Sequence, residues 1–369
     1  MILNKIKIKK FRNYDEQEMI FEKGINYLFG LNGVGKTNLI EAIYYIGNLE
    51  SFRTSDDKDL IKDFKGEFLI EAVVDEIDYR LLVNKDNKLL SIDGIVYKKY
   101  REYLGHVNVV EFCPEEVYLL KDFPKDRRRF LDREISKIDK EYLNNMLIYN
   151  KLIKQRNEVL KSNDFYKDTL LDTIDEKISS MQVSLINKRK VFLEEIKKNI
   201  KEFNVSLSDL YSFEIKYKSC FETIEEKQIL NKYKEFRDKD KEKMITHLGV
   251  HKDDFEVYLN NNEAYKFNSQ GEQRFIVLLI KLALVKLVKE KMNECPIVVL
   301  DDVFSELDEF RKKEIYEILK NFDQVFITGC NENDMLQTKK FTSYEIEDKK
   351  IRRRNINEWY KSKWSLYCG

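Results

Sequence analysis

Cysteine is scarce in this chain, and its spacing builds no scaffold. Cys113, Cys220, Cys295, Cys330 and Cys368 are the only five in 369 residues; the number is odd and no CxxC pair occurs. That speaks against a disulfide framework and a zinc site, and suits a reducing cytosol. The three histidines, His106, His247 and His251, are too few for most His-based metal sites. Net charge is missing too. With 66 basic and 66 acidic side chains, the chain has no global attraction for nucleic acid or anionic lipid, so a polyanion would have to be held by local basic patches. No apolar run is long enough to span a membrane. The most apolar stretch, Phe275 to Val288, is broken by Lys281 and Lys286 and reads as a buried helix. Met1-Ile2-Leu3-Asn4-Lys5 contains no apolar signal core. Internal repeats and low-complexity linkers are absent. The expectation is a cytoplasmic protein with no membrane partner.

The length suits roughly two domains, and 43% hydrophobic residues allow a large core. Ile6 and Ile8 alternate with Lys5, Lys7 and Lys9, the pattern of a half-buried strand. Ile25 to Phe29 reads as a second strand that runs into a glycine loop, and Leu39, Ile40, Ile43 and Ile46 mark one face of the helix behind it. Residues 66–100 read as an antiparallel β-meander with turns at Asp86-Asn87 and Asp93-Gly94. From about Ile138 to Asn204 there is no Pro or Gly, and Leu, Ile and Lys recur at helical spacing, broken near Ser162-Asn163-Asp164. This predicts an antiparallel helical arm inserted into one head. The expected division is 1–137 for the first part of the head, 138–204 for the arm and 205–369 for the rest of the head. The tail from Arg352 to Gly369 is basic and aromatic, without a clear period.

Four segments carry chemistry. Gly30-Leu31-Asn32-Gly33-Val34-Gly35-Lys36-Thr37 lies between strand and helix and fits a P-loop. Its glycines let consecutive N–H groups face one anion, and the helix N-terminus adds positive potential. Lys36 is expected to reach the β- and γ-phosphates of ATP, Thr37 to ligate Mg2+, and Asn38 to complete the nucleotide site. Ile297-Val298-Val299-Leu300-Asp301-Asp302 reads as a buried strand ending in carboxylates, Asp301 for Mg2+ and Asp302 to polarise the attacking water. In Asn268-Ser269-Gln270-Gly271-Glu272-Gln273-Arg274, a hydroxyl and open N–H groups at a helix start can bind a γ-phosphate, while Ser269 and Glu272 equally fit a capping box. Ser305-Glu306-Leu307-Asp308 allows the same two readings.

In this order the four segments resemble Walker A, signature, Walker B and D-loop of the ABC-type ATPase heads of the SMC class. Further stretches resemble the RecF family within that class: Phe11-Arg12-Asn13-Tyr14, Ser51-Phe52-Arg53-Thr54, Pro114-Glu115-Glu116, Arg127-Arg128-Arg129-Phe130-Leu131-Asp132 and Gly249-Val250-His251-Lys252-Asp253-Asp254. The resemblance implies an α/β ABC-ATPase head with a mixed β-sheet core, an antiparallel β-meander and an inserted helical arm. It implies an ATP-dependent homodimer on gapped or double-stranded DNA, independent of sequence. It implies slow, DNA-stimulated ATP hydrolysis and action with RecO and RecR to promote RecA loading, recombinational repair, replication restart and the SOS response. Ser269, Gln270, Gly271 and Glu272 of one copy would then cover ATP held by the other, and Ser305 and Asp308 would form the D-loop. Arg53, at the place of the class's nucleotide-side arginine, would join Lys36 and Asp302 in catalysis.

The chain departs from the family pattern at several points. Glu272 stands where Gln is common and Lys252 where Arg is usual; Thr328-Gly329 occupies the switch position where transporter heads have His, and no obvious glutamine loop precedes the arm. For DNA, Lys5, Lys7, Lys9, Lys10, Arg127, Arg128, Arg129 and Arg352 to Arg354 are the candidate phosphate contacts. Another SMC-class head or a transporter-type ABC subunit is the alternative reading. The arm and the absent switch histidine weigh against the transporter, and an arm this short weighs against a true SMC protein.

Overall fold

The computed structural model describes residues 1–64, 66–121, 123–203, 212–331, 341–347 and 349–354. Asn204, the expected end of the arm, and residues 355–369 of the tail lie outside them. The chain forms two compact units, Met1–Glu116 with Leu284–Gly369, and Val117–Ala283.

The first unit holds two six-stranded sheets. One is an antiparallel meander in the order Tyr14–Ile20, Leu3–Phe11, Glu67–Val74, Ile77–Asn84, Lys88–Ile92, Ile95–Tyr97. Its period-2 pattern sends Leu3, Ile6, Ile8 and Phe11 into the core and Lys5, Lys7 and Lys9 to the outer face. The other sheet is mixed, in the order Lys350–Arg354, Thr342–Glu347, Gly24–Phe29, Gln324–Gly329, Ile297–Leu300, Val109–Phe112. All its neighbours are parallel except the Lys350–Arg354 edge. Its central strands, buried on both faces, are near-continuous apolar runs, as parallel sheets require.

The helix Lys36–Asn48 packs against strands of both sheets and is buried almost all round, which only an interior helix can be. Gly47 lets it approach closely, since a Cβ there would come 2.8 Å from Val107 O. Phe68 meets Phe11 and Tyr45 edge-on at 5.1 and 5.4 Å and closes the meander over this helix.

The second unit is a helical bundle with a three-stranded antiparallel sheet of Phe213–Lys218, Asp254–Leu259 and Asn262–Glu263. The helices Lys140–Lys161 and Lys167–Glu202 would span about 33 and 54 Å at 1.5 Å per residue. They run antiparallel, because Tyr142 meets Arg189 while Arg156 meets Asp175. Glu226–Lys243 packs alongside both. Arg156, fully buried, bonds Asp175 and Asp240 at 2.6 Å each, and Arg237 also reaches Asp175 at 2.8 Å. Two cations facing two buried carboxylates fix the register of the three helices; removing either partner would strand a charge.

Candidate functional site

The loop Gly30–Gly35 leaves the carboxyl end of Gly24–Phe29 and turns into the helix at Lys36. Gly35 caps that helix at φ 116°, a left-handed value that favours glycine, and a Cβ there would lie 2.8 Å from the Tyr14 hydroxyl. That hydroxyl donates to Gly35 O at 3.0 Å. At Gly30 a Cβ would come 2.3 Å from Ile346 O. Lys36 curls inside the loop, its Nζ donating to Gly30 O at 2.7 Å and Leu31 O at 2.9 Å. The ammonium and the helix N-terminus thus face the same concavity, the arrangement that binds phosphate.

Three neighbouring parallel strands end at this loop. Asp301 follows Ile297–Leu300, and Thr328 closes Gln324–Gly329. Thr37 Oγ1 donates to Asp301 Oδ1 at 3.2 Å, and Thr328 Oγ1 donates to the same oxygen at 2.6 Å. Thr328 Oγ1 also accepts from Asp302 N at 2.9 Å, so one buried hydroxyl links both acids. Asp302 is held at φ 48°, ψ 34°. This left-handed conformation costs a non-glycine residue about 1 kcal/mol or more, and it persists where the surroundings enforce it. Ser305 Oγ donates to Asp302 O at 2.9 Å and steadies that turn. Asp308 caps the helix Glu309–Leu319, accepting from Arg311 N. The capping reading of that segment therefore rests on Asp308 alone, and Ser305 serves Asp302. A hydroxyl and a carboxylate converging at the edge of a phosphate loop are the hard oxygen donors Mg2+ takes alongside phosphate and water. Thr37 and Asp301 fit that ion.

A second layer surrounds the loop. Asn38 donates to Asn13 Oδ1 at 2.8 Å, and its own Oδ1 accepts from Arg53 Nη1 at 3.0 Å. Glu41, fully buried, takes Arg12 in a two-bond pair at 2.6 and 2.8 Å. Glu41 and Thr328 tie the loop and the two acids to partners distant in the chain, links that local sequence patterns do not encode.

In the second unit the helix Gln270–Met292 begins at an actual capping box. Ser269 N and Oγ both donate to Glu272 Oε2 at 2.9 Å, and Glu272 N donates to Ser269 Oγ at 3.3 Å. Ser269 and Gln270 are exposed. Gly271 would meet nothing within 4 Å if it carried a Cβ, and its φ is not positive. Among the described residues nothing crowds that position.

The basic candidates divide by their partners. Arg127 is buried and bonds both Asp254 oxygens at 2.7 and 2.8 Å, so its charge is neutralised internally; Arg128 Nη1 donates to Asp253 O at 2.9 Å. Arg129 is exposed. Lys5 pairs with Glu18 at 2.7 Å, while Lys7 and Lys9 both reach Glu16 at 3.2 Å. The hydrogen bond to Glu16 raises the pKa of Lys7, and those of Glu16 and Glu18 are lowered by their lysines. The lysine row is one side of a cross-strand charge ladder and not a lone positive stripe. Arg353 and Arg354 pair with Glu22 and Glu345 at 2.7 and 2.5 Å.

The remaining family-like stretch lies inside the second unit. His251 Nδ1 sits 2.6 Å from the Tyr149 hydroxyl, and burial lowers its pKa to about 4. Asp253 accepts from the Tyr217 hydroxyl at 2.6 Å and from Cys220 N at 2.7 Å. No cluster of three or more His, Cys, Asp or Glu suited to a metal occurs among the described residues. No helix among them is long and apolar enough to cross a membrane.

Known proteins align with this arrangement over nearly its whole length. The model of the RecF/RecN/SMC N terminal domain matches residues 2–107. A solved head domain of Smc from Pyrococcus furiosus superposes with TM-score 0.55 at 18% identity, covering 99% of each chain, a likeness of fold. A solved structure of the recombination mediator protein RecF with ATP, in the RecFOR pathway, superposes with TM-score 0.84 at 31% identity, covering 96% of this chain and 97% of that one. Fold and site together define an ABC-type ATPase head of the SMC class. The DNA replication and repair protein RecF of Clostridium perfringens strain 13 is 37% identical over 359 residues, 95% of this chain and 97% of its own. That of Clostridioides difficile strain 630 is 34% identical over 362 residues, 94% and 97%. The chain belongs to the RecF family of DNA replication and repair proteins.

Proposed function

We propose that the chain binds ATP with Mg2+ at Gly30–Thr37 and Asn38, hydrolyses it slowly, and uses ATP to join two copies on gapped or double-stranded DNA. The observation that carries the nucleotide reading is the approach of Thr37 Oγ1 to Asp301 Oδ1 at 3.2 Å, beside the Lys36 ammonium. Thr37 and Asp301 would hold Mg2+ there, and the ion would supply neutralisation of the negative charge on the phosphates. Asp302 lies one residue beyond Asp301 and orients the attacking water. The new bond joins that water's oxygen to the γ-phosphorus as the bond to the β,γ-bridging oxygen breaks. Lys36 steadies the phosphate oxygens.

The dimer reading draws support from Gly271, where a Cβ would meet nothing within 4 Å among the described residues. A γ-phosphate approaching from a second copy requires close access to that backbone, and Ser269 supplies the hydroxyl. Ser305 and Asp308 form the D-loop of the same interface. Repair activity with RecO and RecR, RecA loading, a role in the SOS response and a cytoplasmic location are the finer parts of this reading, which family membership supports. The division into an ATPase head, 1–137 and 205–369, and a helical arm, 138–204, belongs to the same reading. DNA contact falls to exposed cations, Arg129 and Lys252, ahead of the buried Arg127. The test is nucleotide binding and self-association with and without gapped DNA. Wild type should bind ATP and dimerise, and Lys36→Ala should lose at least about tenfold in ATP affinity. Unchanged affinity in Lys36→Ala would overturn the site.

A further inference from the structure

Two family-like stretches far apart in sequence, Phe11-Arg12-Asn13-Tyr14 and Ser51-Phe52-Arg53-Thr54, converge on one side chain. That side chain is Glu41, one helical turn after Thr37 and three residues after Asn38, on the same helix face as both. It is fully buried. Oε1 accepts from Arg12 Nη2 at 2.6 Å and from the Ser51 hydroxyl at 2.5 Å. Oε2 accepts from Arg12 Nε at 2.8 Å and lies 3.7 Å from Arg53 Nη1. Ser51 Oγ in turn accepts from the backbone N–H groups of Arg53 and Thr54 at 2.9 and 3.1 Å. One carboxylate therefore faces two guanidiniums and, through one hydroxyl, also shapes the backbone that carries the second.

The charges do not cancel. Arg12 satisfies both carboxylate oxygens and its side chain is only 18% exposed, whereas that of Arg53 is 44% exposed. The surplus positive charge belongs to Arg53, held by Nη1 against Asn38 Oδ1, beside the residue that follows Thr37. Its other guanidinium nitrogens have no partner among the described residues.

We propose that Glu41 is a positioning residue for the nucleotide site: through Ser51 and its own charge it holds Arg53 at Asn38, so that bound phosphate meets a fixed guanidinium. The inference rests on the ATP reading above. Glutamine at 41 would lose one acceptor of the two-bond pair with Arg12 and the charge that restrains Arg53. A purely structural Glu41 would only tie the Arg12 turn to the helix.

A double-mutant cycle separates the two roles. ATP affinity of the full chain is titrated with a fluorescent ATP analogue for wild type, Glu41→Gln, Arg53→Ala and the double variant, and nucleotide-free melting is recorded for each. Glu41→Gln should weaken binding roughly tenfold alone and less than about twofold in the Arg53→Ala background. Equal weakening in both backgrounds, or none in either, overturns the proposal. Should Glu41→Gln fail to fold, Ser51→Ala enters the same cycle with the same expectation. Lys36→Ala serves as the control: a loss of affinity there with additive Glu41 and Arg53 effects defeats this inference alone. Affinity indifferent to Lys36 defeats the site reading beneath it.

Discussion

Glu272→Gln should strengthen the ATP-dependent dimer. Glu272 Oε2 lies 2.9 Å from Ser269 Oγ, the hydroxyl assigned to the partner copy's γ-phosphate. A phosphate oxygen bonded to that hydroxyl at about 2.7 Å sits roughly 5 Å from the carboxylate. Two like unit charges at that distance repel by ~1 kcal/mol in water and ~3 kcal/mol at the effective dielectric of a protein surface. The closed interface lies between these limits. Glutamine fits the same capping box, so the helix start is kept while the charge is removed. The dimer dissociation constant in ATP should fall by roughly tenfold or more. Without nucleotide, self-association and the melting temperature should change little. Sedimentation across a concentration series, with ATP in an Asp302→Asn background to stop turnover, measures this directly. Asn tolerates the left-handed conformation that Asp302 adopts, so that background does not disturb the turn. An unchanged or weaker dimer, with melting preserved, would refute the placement of Ser269 against phosphate.

Gly271→Ala should do two opposite things. It should stabilise the monomer by about 0.5–1 kcal/mol, because alanine is the better helix former and the space is open, and it should abolish ATP-dependent dimerisation; melting and sedimentation read the two effects separately. Thr328→Val leaves Asp302 N without its acceptor and Asp301 without its 2.6 Å donor. It should cost about 1–3 kcal/mol in denaturant unfolding and slow ATP turnover. His251 supplies a pH dependence. Its pKa is lowered to about 4 in the fold against an ordinary 6.5, so between these values the unfolded chain takes up a proton that the native chain refuses. Stability is full above about pH 6.5 and falls as the pH drops toward 4, by up to about 3 kcal/mol. Urea unfolding at pH 7.5 and 5 should show the fall, and His251→Asn should reduce it.

The nucleotide loop, the strand before Asp301 and the alternating strand at the N-terminus were legible because their patterns are local. Glycine at fixed offsets, an apolar run ending in acids and period-2 alternation each announce themselves within ten residues. The charge ladder is less legible, though its signal lies in the sequence. A two-residue turn at Arg12-Asn13 sets Lys9 opposite Glu16 and Lys7 opposite Glu18, a pairing that depends on the hairpin and not on the lysine spacing alone. Thr328 stood in view as the switch position, yet its bonds to Asp301 and Asp302 depend on the parallel pairing of Ile297–Leu300 with Gln324–Gly329, which no local pattern encodes. The helix Glu226–Lys243 is so charged that only Ile229, Tyr233 and Asp240 are buried, leaving almost no apolar period to find.

The stretches that mark family likeness divide by what their side chains do. Lys36, Thr37, Asp302 and Ser269 are the groups that the proposed reading assigns to the nucleotide, and Lys36, Thr37 and Ser269 also bond within the chain. Arg127 with Asp254, Asp253 with Tyr217, His251 with Tyr149 and Arg12 with Glu41 are closed on partners within the chain. Closed pairs of this kind convey stability and position, so a charge-removing substitution among them changes melting before it changes chemistry. Resemblance by sequence weighs both sets alike. The arginines of Arg127-Arg128-Arg129 differ in burial. Arg127 anchors the sheet to its helix and Arg128 braces the Asp253 backbone. Arg129 is exposed whereas Arg127 is buried on Asp254, so replacing Arg127 should lower the melting temperature more than replacing Arg129, as thermal unfolding of the two variants would show.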